Sequence, residues 1–312
     1  MKLDKVLEKI YLYFSSSSYR FAVNNVKFHL YRNMSDDQFL KKAFLAYMGY
    51  PLNLNNPQTF NEKLQWLKLY DRRPEYVTMV DKYKVREYIA DTIGEEYLIP
   101  LLGVWENADD IDFDSLPDKF VLKCNHDSGS VVIVKDKSKI DKDTIRKKLS
   151  KALRRNLFEY GREWPYKDVP RRIIAEKYMS DEAAGGLTDY KIHSFNGVPK
   201  FILVSTERFS ENGLHEDYFD VGWNKLDIRF ANHPTSNCVI PLPKQLGKML
   251  ELSRYLAGKY PFMRTDFYQI DGKLYFGEIT LYPGCGFEKV TPKGWDEKIG
   301  GWLKLSVPQR NT

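Results

Sequence analysis

Cysteine, histidine and long apolar runs are scarce in this chain. Its 312 residues include only three cysteines, Cys124, Cys238 and Cys285. They are widely spaced and form no Cys-x-x-Cys pair, which excludes a disulfide framework and a structural zinc site and is typical of a reducing compartment. No run approaches the roughly 18 to 20 apolar residues that a membrane span needs. Glu8 and Lys9 interrupt the apolar start, so it is not a secretory signal. We predict a soluble, cytoplasmic protein.

Net charge is small and unevenly distributed. Lysine and arginine exceed aspartate and glutamate by six. Ten basic and three acidic residues lie between Lys135 and Arg155, so that stretch carries the whole excess and the rest of the chain is almost neutral. With 43% hydrophobic and 14% aromatic residues, the chain can bury a core, which excludes disorder as a description of the whole.

Hydrophobic periodicity changes along the chain. Helical spacing predominates in the first 94 residues, with a capping box predicted at Ser35, a similar start at Thr59 and a further helix from about Asp81 to Thr92. From Phe120 onward, short strand-like runs are separated by turn residues, and a basic helix lies between them. We predict an α+β fold with mainly antiparallel strands and a helical N-terminal region.

The segment from Arg264 to Gly286 is the most informative. It reads as a β-hairpin with a turn at Asp271-Gly272. A strict two-residue loop would place Asp266 and Glu278 on opposite faces. One extra loop residue, or a bulge, would instead pair position 266 with 278 and position 264 with 280. Two carboxylates would then face each other, which favours a hard divalent cation such as Mg²⁺. The alternative is a polar sheet face in water.

Three other segments carry weaker signals. Phe120 to Ser130 places Lys123 at a strand end before a Ser/Gly loop that could bind phosphate, and Asp189, Lys191 and His193 share one face of a strand. That strand could equally be an edge strand with a solvated face. Lys82 follows a predicted N-cap at Asp81, where a surface lysine is the ordinary interpretation. His126-Asp127-Ser128 cannot form a catalytic triad, because consecutive side chains cannot align in that relay.

The order of these segments resembles the ATP-grasp superfamily, including ligases of the D-alanine–D-alanine ligase type. Longer stretches are similar to the TupA-like ATP-grasp family, over roughly residues 50 to 305. They are 57–66, 94–100, 122–129, 189–191 and 276–280. The resemblance implies two α+β lobes that clasp ATP, with a helical region at 1–80 and lobes at 81–175 and 176–312.

The resemblance also implies roles for individual residues. Lys82 and Lys123 would hold ATP phosphates, beneath a flexible lid of His126, Ser128, Gly129 and Ser130. Glu176, Lys177 and Met179 would meet adenine, and Asp189 the ribose. Asp266 and Glu278 would bind Mg²⁺, with Thr280 at a position that is usually Asn. The catalytic residues would be Arg264, near the transferring phosphate, together with Lys191 and His126.

The activity implied is ATP-dependent joining of a carboxylate to an amine through an acyl phosphate, in surface or capsular polysaccharide synthesis. The acceptor would be a uronic acid and the amine an amino acid or peptide. A glycosyltransferase is the first alternative, although its Asp-x-Asp candidates at Asp110, Asp112 and Asp114 lie in an acidic loop. A second is a module that binds an anionic polymer or membrane through residues 135–155, which we interpret chiefly as a solvated face without nucleic-acid binding. The amphipathic helix at 1–14 could contact a membrane, but a packed helix is the favoured interpretation.

Overall fold

The structure is a computed structural model that describes residues 2–180, 187–206, 213–231, 233–236 and 239–306. It divides into two compact units. The first comprises Met1–Arg73, Asn156–Lys167 and Tyr282–Thr312, and the second comprises Pro74–Arg155 and Asp168–Leu281. Cys238 lies outside the described residues. The division into lobes at 81–175 and 176–312 stays a prediction.

Helices predominate before Leu101, and most strands follow after that residue. The α-helices are α1 (Lys2–Ser15), α2 (Ser17–Ala22), α3 (Asp36–Met48), α4 (Phe60–Tyr70), α5 (Glu75–Val80), α6 (Val85–Thr92), α7 (Lys142–Leu153), α8 (Phe158–Gly161), α9 (Leu246–Ala257) and α10 (Trp295–Trp302). The strands are β1 (Leu101–Trp105), β2 (Phe120–Cys124), β3 (Val132–Val134), β4 (Ile173–Lys177), β5 (Asp189–Phe195), β6 (Val198–Thr206), β7 (His215–Asp220), β8 (Lys225–Leu226), β9 (Arg229–Phe230), β10 (Phe262–Ile270), β11 (Lys273–Thr280) and β12 (Val290–Thr291).

Local capping signals explain where the helices of the first unit begin. The amide of Gln38 donates to the Ser35 hydroxyl at the start of α3. At α4, the Thr59 hydroxyl accepts from the amide of Glu62, and the Glu62 carboxylate accepts from the amide of Thr59. Each bond satisfies an N–H group that the helix itself leaves unpaired. Both predicted helix starts are confirmed.

A fully buried lysine joins three separate segments of the first unit. The Lys68 ammonium donates to the carbonyl oxygens of Gly161 and Cys285, at 2.7 Å each, and to the Gln65 side chain at 2.9 Å. It also lies 4.7 Å from the centre of the Phe287 ring. Three acceptors and an aromatic face replace the water that the charge loses on burial. The packing of this unit thus depends on a polar centre as well as on its apolar core.

Helix α1 leaves its apolar side in contact with water. Leu7 is 57% exposed and Phe14 is 75% exposed, whereas Tyr13, at the edge of this side, is anchored by its hydroxyl, which donates to Asn24 Oδ1 at 2.9 Å. The interpretation of this segment as a helix packed through its apolar face is therefore wrong. Among the described residues, no helix is both long and apolar enough to cross a membrane.

Two antiparallel sheets form the framework of the second unit. One has the strand order β1-β4-β2-β3, and the other has the order β11-β10-β5-β6-β7-β8. The core of the first sheet includes Phe113, Phe120 and Leu122, and α7 packs on it through Ile145 and Leu149. The predicted α+β class with antiparallel strands is confirmed.

Candidate active site

The hairpin of β10 and β11 contains the bulge that the charged residues require. Asp271 and Gly272 have positive φ values of 50° and 77°, which a two-residue type I′ turn requires at both positions. The pairing runs regularly to Phe267 with Phe276, then skips Gly277, so that Asp266 pairs with Glu278 and Arg264 pairs with Thr280. The predicted bulge register is confirmed, and the strict two-residue register without a bulge is excluded.

Gly277 permits this bulge because it has no side chain. A Cβ atom at this position would lie 3.2 Å from the carbonyl oxygen of Asp266 and 3.1 Å from the Tyr268 ring. Both distances are shorter than an ordinary van der Waals contact. The glycine therefore lets the two strands approach closely next to the paired carboxylates.

Strand β5 continues the charged rows onto a third strand. Lys191 pairs with Asp266 and His193 pairs with Arg264. Since β5 lies between β10 and β6 and all its residues are buried, the interpretation as a solvated edge strand is wrong. Directly paired residues lie on the same face of a sheet, so Lys191, Asp266 and Glu278 form one row across three strands.

The two neighbouring carboxylates of this row are neutralised by cations on two sides. The Lys191 ammonium lies 2.9 Å from Asp266 Oδ2 and 3.2 Å from Asp189 Oδ2. Arg264 donates from Nε and Nη2 to the two oxygens of Asp266, at 2.8 and 2.7 Å, and from Nη2 to Glu278 Oε1 at 3.0 Å. We name these side chains the carboxylate ladder, consisting of Asp189, Lys191, Arg264, Asp266 and Glu278. Its members are partly or fully desolvated, so the pairing of opposite charges is strong.

Opposite charges, not burial, set the protonation of the ladder. Burial alone would raise the pKa of Asp266, but Arg264 and Lys191 outweigh it and lower that pKa. Burial would likewise raise the pKa of Glu278, and Lys82 followed by Arg264 lowers it. Burial would lower the pKa of Lys191, and Asp266 with Asp189 raises it. Both carboxylates are therefore ionised at neutral pH and Lys191 is charged.

Lys82 joins the ladder from a separate element. Asp81 Oδ1 accepts from the amides of Tyr83 and Lys84, which confirms the predicted cap of the turn before α6. The Lys82 ammonium then lies 3.8 Å from Glu278 Oε2 and donates to the carbonyl of Asp127 at 2.9 Å. Its side chain is only 17% exposed, so the surface interpretation of this lysine is wrong.

Lys123 and Glu176 form an ion pair in the other sheet of the same unit. Glu176 pairs with Val121, two residues before Lys123, so both charged side chains lie on one face. Lys123 Nζ is 2.6 Å from Glu176 Oε2, and Arg86 approaches Glu176 Oε1 at 3.7 Å. Sequence reasoning assigned no role to Arg86. Arg86 and Glu176 lie about ninety positions apart in the sequence. Local hydrophobic periodicity therefore cannot predict their contact.

Backbone bonds restrict the segment predicted to meet adenine. The amide of Lys177 donates to the carbonyl of Pro100 at 3.0 Å and is not available to a nucleotide. Tyr178 and Met179 continue beyond the end of β4 and are partly exposed. The backbone groups beyond the end of β4 are therefore the better candidates, and adenine contact there stays a prediction.

Hydrogen bonds among its own side chains fix the loop after β2. The Asp127 carboxylate accepts from the Ser130 hydroxyl at 2.5 Å and approaches Arg155 at 3.5 Å, while Ser130 Oγ accepts from the amide of Cys124. Of the residues from His126 to Ser130, which were predicted to form the lid, only Ser128 and Gly129 are exposed. Ser128 and Gly129 are thus the part of the predicted lid that can reach a ligand, and the lid motion itself stays a prediction.

Asn125 connects this loop to the start of α6, a role that sequence reasoning missed. Its side chain donates to Asp81 Oδ1 and to the carbonyl of Pro170, at 2.8 Å each, and accepts from the amide of Arg172 at 2.7 Å. Its carbonyl accepts from the amide of Lys82. The only sequence signal was an amide side chain directly after a buried strand.

His126 and Thr280 occupy different surroundings from each other. The His126 ring is 2% exposed, its Nδ1 lies 3.4 Å from Asn125 Oδ1, and burial lowers its pKa. Within the described chain it makes no hydrogen bond to the carboxylate ladder. The Thr280 hydroxyl lies 3.4 Å from Glu278 Oε1, at the edge of the ladder. Thr280 is thus placed with the ladder and His126 is not.

The basic segment at 135–155 is more than a solvated face. Lys148 donates to the carbonyl of Val131 at 2.8 Å, and Arg155 approaches Asp127, so two of its cations hold the loop after β2. Lys142 pairs with Asp114 at 2.8 Å, and Arg146 donates to the carbonyl of Ile111. These side chains remain partly or fully exposed, as predicted, and they also bind neighbouring loops.

The Asp-x-Asp candidates for a glycosyltransferase serve as local caps. Asp112 Oδ1 accepts from the amides of Asp114 and Ser115, and Asp110 ends a short 3₁₀ turn, Ala108–Asp110. All three aspartates are exposed. Their placement in a surface turn agrees with the acidic-loop interpretation.

Comparison with known proteins shows to which family the chain belongs. The family described as TupA-like ATPgrasp matches residues 62–304. No curated protein sequence matches the chain.

Solved structures with detectable likeness include D-alanine–D-alanine ligase from Bacillus anthracis complexed with ATP, at 20% identity, with 65% of this chain and 55% of that chain covered and a TM-score of 0.38. The corresponding ligase from Helicobacter pylori shows 16% identity, 78% and 69% coverage and a TM-score of 0.40. N5-carboxyaminoimidazole synthase from Aspergillus clavatus, in complex with ADP and 5-aminoimidazole ribonucleotide, shows 13% identity, 65% and 44% coverage and a TM-score of 0.34.

This chain thus spans little more than half the length of the Bacillus ligase. Identities and TM-scores this low carry no assignment of activity, and the family rests on the match that extends from Glu62 to Lys304. That match includes every element that bears the carboxylate ladder. The chain belongs to the TupA-like ATP-grasp family.

Proposed function

We propose that this protein is an ATP-dependent ligase that joins a carboxylate to an amine. The carboxylate ladder is the observation that carries the proposal. It places a bidentate arginine and a lysine next to two carboxylates in a buried face, with Lys82 beside Glu278. Phosphoryl transfer requires little more from a protein than such placed charges, because positioning and electrostatic stabilisation account for most of its catalysis.

The nucleotide would be held by the groups around Lys82 and Lys123. Both ammonium groups would bind phosphate oxygens, and the exposed Ser128-Gly129 tip would cover them, while Ser130 holds the loop through Asp127. Lys123 now pairs with Glu176, so a phosphate would compete with that carboxylate for the same cation. Met179 would contact adenine through its backbone, and Asp189 would bind the ribose.

The donor groups of the ladder suit Mg²⁺ that is bound largely through phosphate. Asp266 and Glu278 supply carboxylate oxygens and Thr280 a hydroxyl, which are hard ligands of the kind that Mg²⁺ prefers. The described residues contain no group of three or more acidic, histidine or cysteine side chains suited to a metal. Two protein carboxylates would therefore share the ion with phosphates and water, and the ion would neutralise charge on the transferring phosphoryl group.

The chemistry proceeds in two steps. In the first step, a carboxylate oxygen of the substrate attacks the γ-phosphorus of ATP. The bond between the γ-phosphorus and the β,γ-bridging oxygen breaks. The products are ADP and an acyl phosphate of the substrate. The amine nitrogen then attacks the acyl carbon, phosphate leaves, and the nitrogen loses a proton. Arg264 would orient the phosphoryl or acyl phosphate, and Lys191 would hold Asp266 in its charged form. Exclusion of water protects the acyl phosphate from hydrolysis.

The acceptor is the less constrained part of the proposal. We propose a uronic acid of a surface or capsular polysaccharide as the carboxylate and an amino acid or peptide as the amine, with the reaction in the cytoplasm where ATP is supplied. Resemblance to the family supports this choice.

ADP release tests the proposal. The protein is incubated with ATP and Mg²⁺ and with sets of uronic acids and amino acids, alone and in pairs. Release that needs both a carboxylate and an amine supports the ligase. Turnover that is undiminished in Glu278→Ala, or release with neither substrate class, would refute it. Thermal shift with ATP alone separates a failure to bind the nucleotide from a wrong choice of acceptor.

A further inference from the structure

The first unit carries an exposed apolar surface that no part of the proposed ligase chemistry uses. We name it the α1 apolar face. It consists of Val6, Leu7, Ile10, Tyr11 and Phe14, which are each at least half exposed. At 100° per residue, these positions cover roughly 140° of the helix circumference. A stripe of this width on a helix in water is normally buried against another part of the fold.

The attachment of α1 explains why the stripe points outward. Tyr13 lies at the edge of this face, next to Val6, and its hydroxyl donates to Asn24. Arg20 donates to the carbonyls of Tyr13 and Phe14, at 3.1 Å each, which fixes the end of the helix. The contacts that hold α1 thus use its polar and backbone groups, and they leave the large apolar side chains free to enter another apolar phase.

Either a second copy of the protein or a membrane surface could cover this face, and the net charge around it distinguishes between the two. Residues 1–33 contain six basic and two acidic side chains, a clear excess in a chain whose other excess lies at 135–155. Lys5 and Lys9 are exposed on the polar side of the helix, away from the α1 apolar face. A second copy of the same unit would bring two basic surfaces together, whereas an anionic lipid surface would attract them.

We propose that α1 lies in the interface of an anionic membrane and holds the protein at that surface. The helix meets the physical requirements of an interfacial helix: a wide apolar face with aromatic residues, and lysines on the opposite, polar side. Its 14 residues are too short to span a bilayer and suffice to lie in its plane. This inference goes beyond the proposed ligase and does not depend on it.

Vesicle flotation with the full chain tests the proposal. Vesicles of phosphatidylcholine alone are compared with vesicles that also contain phosphatidylglycerol, at low and at high salt. We expect binding to the anionic vesicles only, and weaker binding at high salt because the surface potential is screened. Leu7→Gln/Phe14→Gln should reduce this binding at least about tenfold, since both large apolar contacts are lost.

A matched variant controls for the loss of exposed apolar side chains. Leu242 and Tyr255 are 60% and 67% exposed in the second unit, so Leu242→Gln/Tyr255→Gln removes a comparable amount of apolar surface elsewhere. It should bind vesicles like the unmodified protein, and urea unfolding shows that both variants fold. The absence of binding, equal binding to neutral vesicles or equal loss in the control overturns the proposal. So does a dimer in sedimentation that Leu7→Gln/Phe14→Gln abolishes, because the face would then cover a second copy.

Discussion

Arg264 and Asp266, two residues apart in one strand, form a two-point pair with N–O distances of 2.8 and 2.7 Å. Residues at this spacing lie on the same face of a strand, so the arginine reaches its partner without crossing to another element. The same guanidinium also contacts Glu278 on the neighbouring strand. One planar group therefore sets the positions of both proposed metal ligands.

Replacement of this arginine tests its geometric role. Arg264→Lys keeps a positive charge but loses the planar fork that binds two oxygens at once. We expect kcat/KM for ADP release to fall about 100-fold, a loss typical of a group that stabilises developing charge. The control is Arg254→Lys on α9, where the side chain is exposed. Full activity of Arg264→Lys would show that charge alone is sufficient.

The bulge at Gly277 predicts that two glycine variants will behave differently. In Gly277→Ala the new Cβ would press on Asp266 and Tyr268, so the strands must separate beside the carboxylate ladder. In Gly272→Ala the added atom has open space, and the cost is the positive φ of 77°. Each variant should lose about 1 kcal/mol of unfolding free energy.

ADP release separates the two variants. Gly277→Ala should lose most of its turnover, while Gly272→Ala should keep it, because only the first moves Asp266 relative to Glu278. Urea unfolding of both proteins checks that their stabilities are comparable. Equal turnover of the two variants would mean that the bulge does not position the site.

Arg155 should affect nucleotide affinity without contacting the nucleotide. It approaches the buried Asp127 carboxylate from the end of the basic helix, and Asp127 in turn holds Ser130. Arg155→Ala should loosen the loop and raise the KM for ATP several-fold, with a smaller change in kcat. The exposed neighbour Arg154 provides the control. An unchanged KM in Arg155→Ala, or an equal rise in Arg154→Ala, would contradict this role.

His193 should make the protein less stable in acid. The ring is buried against Phe201, at 4.1 Å between ring centres, and burial, followed by the nearby Arg264, lowers its pKa well below the usual 6.5. The folded state therefore does not take up the proton that the unfolded state binds below that pH. Stability contributed by this group is present above pH 6.5 and is lost as the pH falls, by about 1.4 kcal/mol per pH unit.

Urea unfolding at several pH values between neutrality and mild acid measures this slope. His193→Phe, which keeps an aromatic ring against Phe201, should reduce the slope by about one proton's contribution. His29→Gln replaces an exposed histidine and should leave it unchanged. If His193→Phe keeps the full slope, the acid sensitivity arises elsewhere.

The carboxylate ladder was more predictable from sequence than the contacts around it. Alternation in strands and the Asp-Gly turn place Asp266 opposite Glu278 once one bulge is admitted, so the hairpin could be predicted from local rules. Arg86 with Glu176, and Asn125 with Asp81, are joined by tertiary packing, for which local periodicity has no signal. The exposure of α1 was hidden for the same reason. A helical pattern identifies an apolar face but not whether anything covers it.

Lys68 has a consequence for the order of events during synthesis. Its acceptor at Cys285 lies 217 positions later in the chain. At roughly 5–20 residues per second, a ribosome needs about ten to forty seconds to make that acceptor. Throughout this time the first unit lacks its C-terminal segment, while all of the second unit is completed. A nascent chain that stops before residue 282 should therefore expose the lysine and the helices around it to chaperones and proteases, even if the ladder has already formed.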